Sequence, residues 1–180
     1  MNALLEHYQK TVAPALKEQF GYKNVNAVPR MKQVVLNVGI SASKKDAKTE
    51  EMVKETLRRI TGQQPVPTLA KISITKFKIR QGMVVGMRVT LRGARMYDFV
   101  QKLIAITLPR VRDFRGLKPS TVDARGIVSI GFRDSGAFPE VRSEELERLH
   151  GLEVTVSTSA KTKAEGLALF TKLGFPFQEK

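Results

Sequence analysis

The chain has 180 residues, 42% of them hydrophobic, with no cysteine and with 31 Lys and Arg against 17 Asp and Glu, a net charge of +14. A chain of this size and apolar content buries a core, so one domain over residues 1–180 is expected and disorder throughout is excluded. The lack of cysteine rules out disulfides, thiolate metal sites and cysteine nucleophiles; with no apolar run of bilayer length and no secretory h-region, the expectation is a cytoplasmic protein without a membrane partner.

In chain order, Leu4, Leu5, Tyr8, Val12, Ala15, Leu16 and Phe20 recur at spacings that predict an amphipathic helix, kinked or split at Pro14 and ended by Gly21. A strand follows from Val28-Pro29 to Ile40, with Val34, Leu36, Val38 and Ile40 on one face and Gln33, Val35 and Asn37 on the other. The polar segment SASKKDAKTE leads into a second helix striped by Met52, Val53, Thr56, Leu57 and Ile60 and stopped at Thr61-Gly62. Prolines 65 and 67 mark the short piece Val66 to Ala70 as an edge or irregular strand.

A cationic loop over residues 71–82 projects next, and then Met83 to Arg92 alternates strictly. Val85, Met87, Val89 and Leu91 share one face, and Gly86, Arg88, Thr90 and Arg92 share the other. The glycines at 82 and 86 enter a strand, where a bulge or a close backbone approach explains them better than a phosphate loop. A third helix is expected from Ala94 to Thr107 with Pro109 as its stop, then an irregular arginine-rich segment. Two more strands centre on Val128-Ile130-Phe132 and Leu152-Val154-Val156, with a short helix over Ser143 to Leu149 between them. The last helix spans about Thr162 to Leu173, with Thr162 and Glu165 spaced as a capping box.

This order predicts an α+β fold: a single antiparallel or mixed sheet with helices on one face and a polar, basic open face, in the layout of RRM domains. The open face would collect Gln33, Asn37, Arg88, Thr90, Arg92, Thr155 and Ser157. It lacks the stacking aromatics of RRM strands, so contacts to phosphates, 2′-hydroxyls and base edges of a folded RNA are expected instead.

Charge distribution supports a polyanion partner. Residues 1–70 hold 11 cations and 6 acids, residues 71–125 hold 13 and 3, and residues 126–180 hold 7 and 8. A charge concentrated in the middle third fits a localised footprint better than general solubility. Chemistry finds no such support: His7 and His150 are the only histidines and neither sits at metal-ligand spacing, so no metal, cofactor or catalysis is expected. A general basic RNA or DNA binder, such as an RNA chaperone, is the competing class, and it would bind unrelated RNAs equally well.

A family resemblance runs along nearly the whole chain. Leu57, Ile60-Thr61-Gly62-Gln63, Val66, Thr68, Ala70-Lys71 and Ser73 fall at the spacing of the signature of bacterial large-subunit ribosomal protein five. Gly21-Tyr22, Val28-Pro29-Arg30, Asn37-Val38-Gly39, Phe77 to Gly82, Val89 to Gly93, Leu108-Pro109-Arg110, Asp113 to Gly116, Phe138-Pro139-Glu140 and Thr158 to Lys161 match in the same order. The chain departs from the pattern at Asp134-Ser135-Gly136-Ala137, where the family commonly has Glu-Gln before Phe-Pro-Glu.

The resemblance implies an RRM-like protein of the central protuberance that attaches 5S rRNA to the large subunit, beside 23S rRNA and other central-protuberance proteins, and acts without forming a homo-oligomer. On the matched motifs it implies 5S rRNA contacts at Asn37, Gln63, Thr68, Thr90 and Arg92, to which the strand pattern adds Arg88. It also implies a loop facing the peptidyl-site tRNA through Lys71, Lys76, Phe77, Lys78 and Arg80, and a bridge to a small-subunit head protein. The lesser reading of Gln63 is that it simply completes a helix end. Arg110, Arg112 and Arg115 face either a bridge or RNA surface or only solvent.

Overall fold

A computed structural model of the chain describes residues 2–40, 47–141 and 150–178. The helix expected over Ser143 to Leu149 lies outside the described residues. Strands β1 (Met31–Gly39), β2 (Val66–Leu69), β3 (Val84–Leu91), β4 (Val128–Phe132) and β5 (Leu152–Thr158) form one antiparallel sheet in the order β2-β3-β1-β5-β4. The fold is α+β, as the alternating apolar patterns predict. The chain divides into two compact units, Met1–Val34 with Leu91–Ile130 and Thr155–Lys180, and Val35–Thr90 with Gly131–Val154.

In the first unit, the N-terminal helix runs through Ala3–His7, a wider π-type turn Tyr8–Val12, and Ala13–Phe20. The Asn2 side chain accepts hydrogen bonds from the Leu4 and Leu5 N–H groups at its start, and donates to Asp98 Oδ1 at 2.5 Å. Gly21 closes the helix with φ +67°, the left-handed conformation that glycine adopts without strain. The third helix has the same construction: Gly93–Lys102, a π turn Leu103–Thr107, then Leu108–Arg110.

Each π turn ends two residues before a proline, Pro14 or Pro109. In the π turns the Ala13 N–H bonds to the Tyr8 carbonyl and the Leu108 N–H to the Leu103 carbonyl, five residues back. That offset skips one carbonyl just where proline would have no N–H to give and its ring would collide. Pro14 therefore neither splits the helix nor ends it. Pro109 is likewise not the expected stop, since the helix continues to Arg110.

The C-terminal helix Lys163–Lys172 is capped by Thr162, whose hydroxyl accepts the Glu165 N–H at 3.3 Å. The reciprocal bond is displaced by one residue from the expected box: Glu165 Oε2 accepts the Lys161 N–H at 2.7 Å. Burial raises the Glu165 pKa, but hydrogen bonds from the Lys161 backbone, the Tyr22 hydroxyl and the Thr162 backbone, with the Lys161 charge, outweigh it and leave the carboxyl below its ordinary value. Burial, the bond to Glu165 and its negative charge push the Tyr22 phenol up to about 12.

In the second unit the helix Ala47–Thr61 buries Val53, Thr56, Leu57 and Ile60. Its end is tied by the Thr61 hydroxyl, which donates to the Leu57 carbonyl at 2.7 Å and accepts the Gln63 N–H at 3.2 Å. Strands β2 and β3 pair antiparallel, with Val66 opposite Arg88 and Thr68 opposite Gly86. A side chain at Gly86 would place its Cβ 2.6 Å from the Val38 carbonyl oxygen, so the close approach expected for this glycine is real. The strand expected from Val28 starts at Met31 instead, because Val25–Ala27 is a 3₁₀ turn capped by the Asn24 side chain.

Candidate RNA-binding surface

The strands bury Leu36, Val38, Met87, Val89, Leu91, Val154 and Val156 on one face and turn the intervening residues outward. In the second unit, Asn37, Thr68 and Arg88 are exposed and Thr90 is half-buried. Gln63 is half-buried, and its Nε2 donates to the Thr90 carbonyl at 3.1 Å. It thus fixes the end of the second helix to β3 beside Thr90, and its Oε1 is the part of the amide left to accept from a ligand.

In the first unit the Arg92 guanidinium is exposed and donates to Gln33 Oε1 at 2.7 Å. Thr155 and Ser157 are half-buried on β5. Ser129 on β4, which sequence reasoning missed, lies with its Oγ 3.0 Å from Thr155 Oγ1. The alternation Val128-Ser129-Ile130 held the signal, since an apolar pair on one face puts the residue between them on the other.

The cationic loop is a built hairpin rather than a free segment. Ala70 and Met83 pair at its base, where the Ala70 N–H donates to the Met83 carbonyl at 2.8 Å and the Gly82 N–H to the Ala70 carbonyl at 2.9 Å. Further out, Ile74 and Ile79 exchange backbone hydrogen bonds of 2.8 and 3.2 Å, and the Ser73 hydroxyl accepts the Gln81 N–H at 2.9 Å. The tip turns through Thr75–Phe77 and through Lys78 at φ +52°. Lys71, Lys76, Phe77, Lys78 and Arg80 are all exposed, as are Ile72 and Ile74.

Ion pairing engages only some of the exposed cations. Ion pairs among the described residues include Lys10–Glu6, Lys54–Glu51, Arg58–Glu55 and Arg59–Glu55, each one turn apart on a helix. Lys71, Lys76, Lys78, Arg80, Arg88, Arg92, Arg110, Arg112 and Arg115 are exposed and form no ion pair among the described residues. Their charge is uncompensated within the described chain.

Two family models match the chain, "Ribosomal protein L5" over residues 24–80 and "ribosomal L5P family C-terminus" over residues 84–177. The large ribosomal subunit protein uL5 of Natranaerobius thermophilus is 48% identical over 177 residues, covering 98% of this chain and 99% of that protein. The protein of the same name from Colwellia psychrerythraea is 44% identical over 180 residues, covering 100% and 99%.

The chain belongs to the uL5 family of large ribosomal subunit proteins. The uL5 protein of Microcystis aeruginosa, 46% identical over 95% of this chain, extends the likeness to a further organism. Family membership makes the chain a structural constituent of the large subunit of the cytoplasmic bacterial ribosome, with ribosomal RNA and ribosomal proteins as partners, and not an enzyme. The two uL5 models meet within the hairpin, whose descending arm carries residues 80–83.

Proposed function

We propose that the chain anchors 5S rRNA in the central protuberance through the open face of its sheet, beside 23S rRNA and neighbouring proteins, while its hairpin reaches the peptidyl-site tRNA. The carrying observation is the exposed cationic hairpin beside a sheet face that turns Asn37, Thr68 and Arg88 outward, on a chain of the uL5 family. Side chains of Asn37, Thr68 and Thr90 offer hydrogen bonds to bases and sugars, and Arg88 and Arg92 hold phosphates. Gln63 contributes mainly by fixing Thr90, through the bond from its amide to the Thr90 carbonyl.

Lys71, Lys76, Lys78 and Arg80 supply the electrostatic attraction of the hairpin to tRNA, and Phe77 at its tip can lie against sugar or base. We place the bridge to a small-subunit head protein, or a further RNA contact, at Arg110, Arg112 and Arg115. The divergent loop suits that role less: Asp134 Oδ1 accepts the Gly136 N–H at 3.0 Å, and Ser135, Ala137 and Phe138 turn inward.

A competition experiment tests the reading. Labelled 5S rRNA is displaced from the full chain by unlabelled 5S rRNA, tRNA or duplex DNA across a salt series. Preference for 5S rRNA at every salt concentration is expected, and equal displacement by all three would sink the assignment.

A further inference from the structure

In the first unit Gln33, Ser129, Thr155 and Ser157 alternate with buried strand residues, and Arg92 stands one residue past the end of β3. Only Arg92 is charged, and none is acidic. The other four are neutral groups that both donate and accept hydrogen bonds. Phosphate binding asks for cations, so a surface with one cation among five polar groups is suited to a different part of a nucleic acid.

Two side-chain bonds hold this strip in place. The Arg92 guanidinium donates to Gln33 Oε1 at 2.7 Å, which sets the direction of its fork, and the Ser129 and Thr155 hydroxyls lie 3.0 Å apart. Whichever hydroxyl donates, the partner's hydrogen remains for a ligand, together with oxygen lone pairs on both. The ribose 2′-hydroxyl is itself both donor and acceptor, and in A-form RNA it lines a wide, shallow minor groove open to a sheet face. DNA lacks that group.

We propose that Ser129, Thr155 and Ser157 read ribose 2′-hydroxyls of the RNA bound on the open face, with Arg92, held by Gln33, on the adjoining phosphate. Selectivity for RNA over DNA then resides in this strip. The inference rests on the reading of the open face as an RNA-binding surface.

The test compares 5S rRNA with the same transcript carrying 2′-fluoro pyrimidines, which keep A-form geometry but cannot donate from the 2′ position. The wild-type chain is expected to bind the fluorinated transcript about tenfold more weakly, the effect of one or two neutral hydrogen bonds. Ser129→Ala with Thr155→Val is expected to weaken binding of natural 5S rRNA about tenfold and to erase most of the difference between the two transcripts. Its salt dependence should be unchanged, because hydroxyls neutralise no phosphate.

Unchanged affinity for the natural transcript overturns the proposal, and so does equal weakening towards both. Thermal unfolding checks that the double variant is folded. If its midpoint falls, Ser157→Ala becomes the deciding variant, with the same outcomes read at about threefold. Asn37→Ala with Thr90→Ala runs in parallel: if that pair also leaves 5S rRNA binding untouched, it is the broader reading of the open face that has failed.

Discussion

The hairpin between β2 and β3 and the sheet face from which it grows present their side chains in opposite ways. On the sheet, Asn37 stands between buried Leu36 and Val38, Arg88 between Met87 and Val89, and Thr90 between Val89 and Leu91. Their spacing is set by the core beneath them. On the hairpin, every residue from Lys71 to Lys78 is exposed, including Ile72 at 73% and Phe77 at 57%. Its backbone rungs, the Ser73 hydroxyl and the Met83 sulfur, which accepts the Arg80 N–H at 3.1 Å, hold it. A backed strand suits recognition of a fixed RNA shape, whereas an arm without a core suits a ligand that arrives and leaves.

The largest expected break of this contrast is at Gly86. Gly86→Val forces side-chain atoms against the Val38 carbonyl oxygen, which a Cβ would meet at 2.6 Å, and should cost about 2–3 kcal/mol in urea unfolding together with most 5S rRNA affinity. Next, Asn37→Ala with Thr90→Ala removes two side chains from the sheet face but no buried contact. It should weaken 5S rRNA binding about tenfold or more in filter binding, with an unfolding midpoint close to wild type.

Arg92→Gln sharpens the electrostatic side: loss of one phosphate contact should lower the slope of log K against log salt by about 0.7–0.9. Neutralising Lys76, Lys78 and Arg80 together should change 5S rRNA affinity about twofold or less at physiological salt, while reducing crosslinking to tRNA in assembled ribosomes. A large loss of 5S rRNA affinity in that variant would merge the two regions into one site.

The smallest effect serves as a control outside both regions. Glu165 has its folded pKa below the ordinary 4.5, so its contribution to stability is present above that pH and is lost as pH falls through the folded value. Tyr22 runs the other way: its contribution is present below its ordinary 10.0 and is lost as pH rises towards about 12. Glu165→Gln should therefore flatten the acid side of the stability profile in urea titrations, and 5S rRNA binding at neutral pH should not change.

Much of the fold was legible because strands covered on a single face keep a period of two, as Val34-Leu36-Val38 and Met87-Val89-Leu91 do. The continuation of the third helix past Pro109 was not. A change of hydrogen-bond offset in the turn before a proline leaves no mark in residue propensities, and the proline itself reads as a stop. The outward position of Ser129 was legible from Val128-Ser129-Ile130, but its bond to Thr155, 26 residues away, was not. Gln63 shows the harder limit: its partner is a backbone carbonyl, which every residue has, so no side-chain pattern could announce the bond to Thr90.

The first unit is made of stretches of chain separated by the whole of the second. The His7 ring bonds to the Lys172 carbonyl, and Arg30 exchanges bonds with Ser159, so the earliest segment is fastened to the latest. On a chain emerging from the ribosome that makes it, His7 and Arg30 must wait for Lys172 and Ser159 before these contacts can close. The Gln33–Arg92 pair joins the first of these stretches to the second, and the Ser129–Thr155 pair joins the second to the third. The strip they form is therefore completed only once Thr155 and Ser157 have been made, and a chain released before them would lack it.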